Sequence, residues 1–188
     1  TKGKTIRVTP PGEYSKSMPS ARRARSRGFS RLACFLGRAL ARQGRIYVYR
    51  ARYDHARKLL QASLATLRHW GAQGEAAFVL NALGSVARYQ RQFLEARRLF
   101  EESLAICRAG GDQRGIARNL TNLGAIANRL GEVAKARELH QASLAIYTQI
   151  GYRWGIALAL NNLSVVANAA GNYAEAKHLA QRALAIYQ

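Results

Sequence analysis

The sequence predicts an all-α fold, a solenoid of antiparallel helix pairs, and three observations predict it. The chain repeats itself: residues 120–147 and 160–187 lie 40 positions apart, align without a gap and are identical at 14 of 28 positions. Within each copy the apolar residues recur at three- and four-residue spacing, as in Leu120, Leu123, Ile126 and Ala127, the period of an amphipathic helix and not of a strand. Gly131 and Gly171 separate two such periodic runs, where a helical hairpin needs its turn. One hairpin cannot bury its apolar face alone, so a neighbouring copy supplies the other half of the core.

Taken in chain order, residues 1–30 read as a flexible basic tail, in which the turn-like TPPGEYSKSMPS leads into ARRARSRGFSR. Residues 31–188 read as about four helix pairs, 31–70, 71–110, 111–150 and 151–188. The first pair is degenerate, with Tyr47 where the others place Ala87, Ala127 and Ala167. The later pairs are expected at 73–90 and 94–108, 113–130 and 134–149, and 153–170 and 174–187, with Asp112 as an N-cap. Ala56, Ala96, Ala136 and Ala176 share one column of the repeat, and Leu64, Leu104, Leu144 and Leu184 share another. Gly84, Gly124 and Ser164 share a third, small enough to let a neighbouring helix approach closely. No polar capping helix follows the last apolar face, so further repeats or self-association through the final helix are expected there.

These columns resemble the tetratricopeptide repeat. The residues that carry the resemblance are Leu83-Gly84, Leu123-Gly124 and Leu163-Ser164 in first helices, then Tyr53, Phe93, Val133 and Tyr173 just after the turn. Small residues follow along the second helices, as Ala96/Ser103, Ala136/Ser143 and Ala176/Ala183. The likeness is strong over 51–188 and weak over 31–50, and the period is 40 where the family's usual unit has about 34 residues. Longer units of this phrasing are similar to the arrays of bacterial signalling ATPases, of LuxR-type regulators and of kinesin light chains. The resemblance implies a right-handed superhelix whose concave inner surface, lined by first helices, holds a protein or peptide. On this sequence the inner columns are Arg38, Ala41, Arg45, Val48 and Tyr49, then Phe78, Asn81, Ser85, Arg88 and Tyr89. They continue with Arg118, Thr121, Ala125, Asn128 and Arg129, and with Leu158, Asn161, Val165, Asn168 and Ala169. The lining is rich in Asn and Arg and contains no acid, which suits a peptide backbone and acidic groups on the partner.

Charge is the one extreme property. The net charge is +20, of which residues 1–30 carry +7 and residues 31–70 carry +8. Three readings of this end stand: a solvated tail, a nucleic-acid arm using Arg22, Arg23, Arg25, Arg27 and Arg31, or a segment (residues 1–50) outside its native reading frame. Hence the alternative function, a nucleic-acid-associated protein. Enzyme classes find no support: His55, His69, His140 and His178 are dispersed, no phosphate-binding glycine motif occurs, and Cys107 falls in a column with Tyr147. No metal and no cofactor is expected. Two isolated cysteines, no secretory signal and no apolar run of about 18–20 residues point to a cytoplasmic protein without membrane partners. The expected role is a non-catalytic interaction module, a sensing or scaffolding part of a larger bacterial regulator, relevant to signal transduction or transcription regulation.

Overall fold

The computed structural model describes residues 20–187, and the side chains of residues 32–186. Among the described residues there are eight α-helices and no strand: α1 Ser20–Tyr49, α2 Tyr53–His69, α3 Gln73–Tyr89, α4 Phe93–Ala109, α5 Gln113–Arg129, α6 Val133–Gln149, α7 Arg153–Ala169 and α8 Tyr173–Tyr187. The expected bounds of α3–α8 fall within one residue of those observed. Helix α1 begins at Ser20, within the stretch expected as a tail, and residues 1–19 of that tail lie outside the described residues.

Helices α2 to α7 each have 17 residues, and each linker repeats one geometry. At the end of α2, Gly71 N–H donates to Arg68 O at 3.1 Å and Ala72 N–H donates to Leu67 O at 2.9 Å. This closes the helix by satisfying carbonyls that have no partner further along. The geometry requires a positive φ, and the positions that adopt it are Ala51, Gly71, Arg91, Gly111, Gly131, Gly151 and Gly171, spaced 20 residues apart. Five are glycine, which takes that backbone without strain, whereas Ala51 (φ 55) and Arg91 (φ 61) carry a Cβ there. Asp112 caps α5 as expected, accepting from Gly115 N–H at 2.9 Å.

Two devices close each hairpin. The small residue of the first helix receives a large one from the second. A Cβ on Gly84 would lie 2.6 Å from the Phe100 ring, one on Gly124 2.6 Å from the His140 ring, and one on Gly44 2.7 Å from Leu60. The fourth hairpin places Ser164 and Ala180 in the same two columns, so a larger residue on one side goes with a smaller one on the other. The second device is a serine of the second helix donating to a first-helix carbonyl 26 residues earlier: Ser63 to Gly37, Ser103 to Ala77 and Ser143 to Ala117, at 2.7, 2.7 and 2.9 Å. Each serine is fully buried, so the bond satisfies a hydroxyl that water cannot reach. Ala183 fills that column in α8.

Hairpins stack in chain order, and the first helices α1, α3, α5 and α7 also touch one another in succession, which the second helices do not. The first helices therefore lie on the inside of the curve. Across the outer layer long side chains make the connection: Arg57 donates to Glu95 at 2.8 Å, Arg97 to Glu132 at 2.7 Å, and Arg137 to Glu175 through both nitrogens at 2.6 and 3.0 Å. At the open face of α8, Tyr173 and Leu184 are exposed. No helix among the described residues is long and apolar enough to cross a membrane.

Candidate functional site

A cleft of about 630 Å³ opens on the concave side of the first three and a half hairpins. First helices supply most of it: Arg45, Val48 and Tyr49 from α1, Phe78, Asn81, Ala82, Ser85 and Tyr89 from α3, Arg114, Arg118, Thr121 and Asn122 from α5, and Trp154 and Leu158 from α7. Tyr147 of α6 and Tyr152 of the following linker complete one wall. No carboxylate lines it.

The wall is built by close helix approach. Gly155 of α7 allows Tyr147 and Tyr152 to press against the backbone, since a Cβ there would lie 2.5 Å from either ring. Their centroids are then 5.5 Å apart, and Trp154 sits 6.2 Å beyond Tyr152. Burial pushes the Tyr147 phenol above its ordinary range, so it remains neutral. Arg114, in the first turn of α5, donates to the Tyr152 hydroxyl at 2.7 Å with its guanidinium 4.1 Å from the ring centroid. One turn along α5 from Arg114, Arg118 approaches the Phe78 ring at 5.3 Å, and Arg45 of α1 approaches the same ring at 5.0 Å. Aromatic faces attract guanidinium groups and so hold these cations in place without neutralising them. The buried Nε of Arg118 has no hydrogen-bond partner.

Under this surface lies a polar chain. Asn81 donates from Nδ2 to Oδ1 of Asn119 at 2.7 Å, and the Asn119 amide donates to Ser103 Oγ at 2.9 Å and to Gly115 O at 3.0 Å. Asn119 is fully buried, in a column that holds Val79 and Ala159 elsewhere. Thr121 and Ser143 hydroxyls meet at 2.6 Å in the next layer. The cleft floor is thus fixed by hydrogen bonds that reach across two hairpins.

Of the twenty inner-column residues expected from sequence, Arg45, Val48, Tyr49, Phe78, Asn81, Ser85, Tyr89, Arg118, Thr121 and Leu158 line this cleft. Arg88 is half-buried beside it, its guanidinium 4.5 Å from the Tyr89 ring. Asn128, Arg129, Asn161 and Asn168 lie outside it, Asn128 half-buried and the other three exposed. The side chains of Arg22, Arg23, Arg25, Arg27 and Arg31 fall outside the described residues. The column reading missed Arg114, Asn122, Tyr147, Tyr152 and Trp154. A signal was present in one column, which changes from Gly74 to Arg114 to Trp154 while the nearby column of Ala77, Ala117 and Ala157 holds constant.

The titratable Cys107 and His140 are core groups. Burial pushes the Cys107 thiol above its ordinary value and holds the His140 imidazole down at about 4, so both are neutral near pH 7. Among the described residues no cluster of His, Cys, Asp and Glu could hold a metal ion.

A family model described as tetratricopeptide repeat matches residues 35–109, 75–149 and 115–188. Among solved structures the chain is similar to BtubC (BKLC) from P. vanneervenii, with a TM-score of 0.72 and 21% identity over 87% of this chain and 72% of that one. It is also similar to aspartyl phosphate phosphatase F from Bacillus subtilis, with a TM-score of 0.75 and 12% identity over 81% of this chain and 40% of that one. A Rap protein solved with Competence and Sporulation Factor gives a TM-score of 0.73 and 17% identity over 79% of this chain and 42% of that one. At these identities the likeness is one of fold. No significant match was found among curated protein sequences.

Proposed function

Because this chain belongs to the tetratricopeptide repeat family, whose arrays are protein-interaction scaffolds, we propose that it is a non-catalytic module that holds an acidic peptide or protein segment in its concave cleft. The observation that carries the reading is the cleft lining, which holds Arg45, Arg114 and Arg118 and no carboxylate. Outside the cleft five arginines pair with acids of the following hairpin, Arg38–Glu75, Arg57–Glu95, Arg68–Glu102, Arg97–Glu132 and Arg137–Glu175. Others, such as Arg98, Arg108 and Arg129, point to solvent without an ion pair among the described residues. Among the described residues the three cleft arginines form no ion pair, so they are the groups an incoming anion would meet. The amide of the half-buried Asn122, which lines the cleft, can accept from and donate to a peptide backbone in the same place. A scaffold of this kind supports a sensing or scaffolding role in a larger cytoplasmic regulator, with occupancy passed to an effector domain.

The test is fluorescence anisotropy with synthetic extended peptides of matched length, acidic, neutral and basic, on the parent chain and on Arg114→Glu/Arg118→Glu. The acidic peptide should bind the parent, with affinity falling as salt rises, and should fail to bind the variant while far-ultraviolet circular dichroism stays the same. Equal binding to both proteins would remove the cleft from the account. Displacement of the acidic peptide by a single-stranded oligonucleotide of higher affinity would favour a nucleic-acid partner in its place.

A further inference from the structure

Resting on the reading above, we infer that the cleft's anion site is built for a phosphoryl group, so that the partner segment is a phosphorylated one. Two guanidiniums, Arg45 from α1 and Arg118 from α5, converge on one ring, Phe78, and a third, Arg114, lines the same space from the stacked Tyr152. Arg114 and Arg118 lie four residues apart on one face of α5, and Arg45 shares the Phe78 ring with Arg118. Like charges therefore repel one another across a partly enclosed, acid-free site, and a ligand that relieves them must concentrate charge at one point. A single carboxylate carries one charge and fits one guanidinium face to face. A phosphoryl group carries about −1.5 to −2 at pH 7 and three strong acceptor oxygens, enough to engage two or three guanidiniums together.

A second observation points the same way. The Nε–H of Arg118 is buried and has no acceptor, an unmet donor on a residue that lines the site. The buried Nε–H of Arg88 beside the cleft is unpaired as well, so guanidinium donors at this face outnumber the protein's acceptors. The rest of the wall, Tyr152 and Trp154 with Trp154 54% exposed, offers planar surface beside the cations. A phosphorylated tyrosine can lay its ring on such a surface while its phosphoryl group reaches the arginines. Affinity therefore arises from both ends of one side chain.

The experiment titrates the full chain with three fluorescent peptides that differ at one central position, phosphotyrosine, tyrosine or glutamate, in a background containing two acidic residues. Phosphotyrosine should bind at least about tenfold more tightly than either other peptide, the difference expected of added charge-assisted hydrogen bonds. Phenyl phosphate should displace it. Its affinity should fall as pH drops through about 6, where the phosphoryl group gains its second proton, whereas a carboxylate ligand would hold until about 4. Arg45→Gln, on the exposed side of α1, should abolish the preference without changing thermal unfolding, and Arg118→Gln should do the same. If glutamate and phosphotyrosine bind equally and both respond to Arg118→Gln, the phosphoryl inference falls and the acidic-peptide reading survives. If no peptide binds, both fall.

Discussion

The second hairpin (α3–α4) and the fourth (α7–α8) share length class, linker geometry and column residues, yet the same positions do different things in each. Leu104 is 7% exposed and Leu184, in the same column, is 59% exposed. Phe100 is wholly buried against Gly84, while Ala180 opposite Ser164 is open. Ser103 fastens α4 to α3, and Ala183 has no hydroxyl with which to do so. On the concave side Asn81 and Ser85 belong to the cleft, whereas Asn161 and Val165, 80 positions on, stand exposed outside it; Phe78 and its counterpart Leu158 both line it. A column residue acquires energetic weight when a following hairpin presses on it. It acquires ligand-binding character where neighbouring columns break the repeat, as with Arg114, Tyr152 and Trp154.

The largest expected effect breaks this comparison directly. Leu104→Ala should cost about 2–5 kcal/mol in urea unfolding, the range for deleting a buried leucine, and Leu184→Ala less than about 1 kcal/mol because its surroundings are already water. A comparable loss from Leu184→Ala would mean that the α8 face is covered in solution, and sedimentation of the two proteins would show by what.

The third hairpin supplies an intermediate effect. His140 occupies the column of Phe100 and Ala180, buried, with Nδ1 unpartnered and a folded-state pKa of about 4 against an ordinary 6.5. Its neutral form fits the fold, so the unfolded chain takes up the proton first as pH falls. The stability it contributes is complete above pH 6.5 and is lost between about 6.5 and 4. His140→Phe, which copies the Phe100–Gly84 contact at Gly124, should remove that part of the pH dependence, a change on the order of 1–3 kcal/mol at the acid end. The hydrogen bond from Arg137 holds the Glu175 carboxyl below its ordinary value, so its contribution is present above the ordinary carboxylate range and is lost as pH falls through that range, equally in parent and variant. Parallel unfolding curves for parent and variant from pH 7 to 4 would contradict the assignment to His140.

The smallest effect sharpens the linker comparison. Arg91 holds a φ of 61° in the second hairpin where Gly171 holds 80° in the fourth. Arg91→Gly should raise stability by a few tenths to about 1 kcal/mol, and Gly171→Arg should lower it by a similar amount, both read as shifts in thermal midpoint.

Much of this was legible in the sequence because hairpin stacking converts local pattern directly into architecture. The 40-residue period, the Gly131 and Gly171 turns and the Asp112 cap placed α3–α8 to within one residue, since each rests on contacts between near neighbours along the chain. Ten of the twenty inner-column residues expected from sequence meet in the cleft, because a helix face is readable from spacing. The other wall was not legible. Tyr147 lies on a second helix and Tyr152 on a linker, and they reach the cleft only because Gly155 lets α7 come close to them.

By itself the sequence determined the helical pairs, their order and the columns that face inward, because amphipathic periodicity and turn chemistry act over a few residues and repeat. Tertiary structure alone decided which parts of the inner surface become a site. Three cations from α1 and α5 approach two aromatic rings from α3 and the α6–α7 linker, residues as far apart in the chain as Arg45 and Tyr152. Convergence of that kind depends on how closely each hairpin settles on the next, which one small residue such as Gly155 sets and no periodicity encodes.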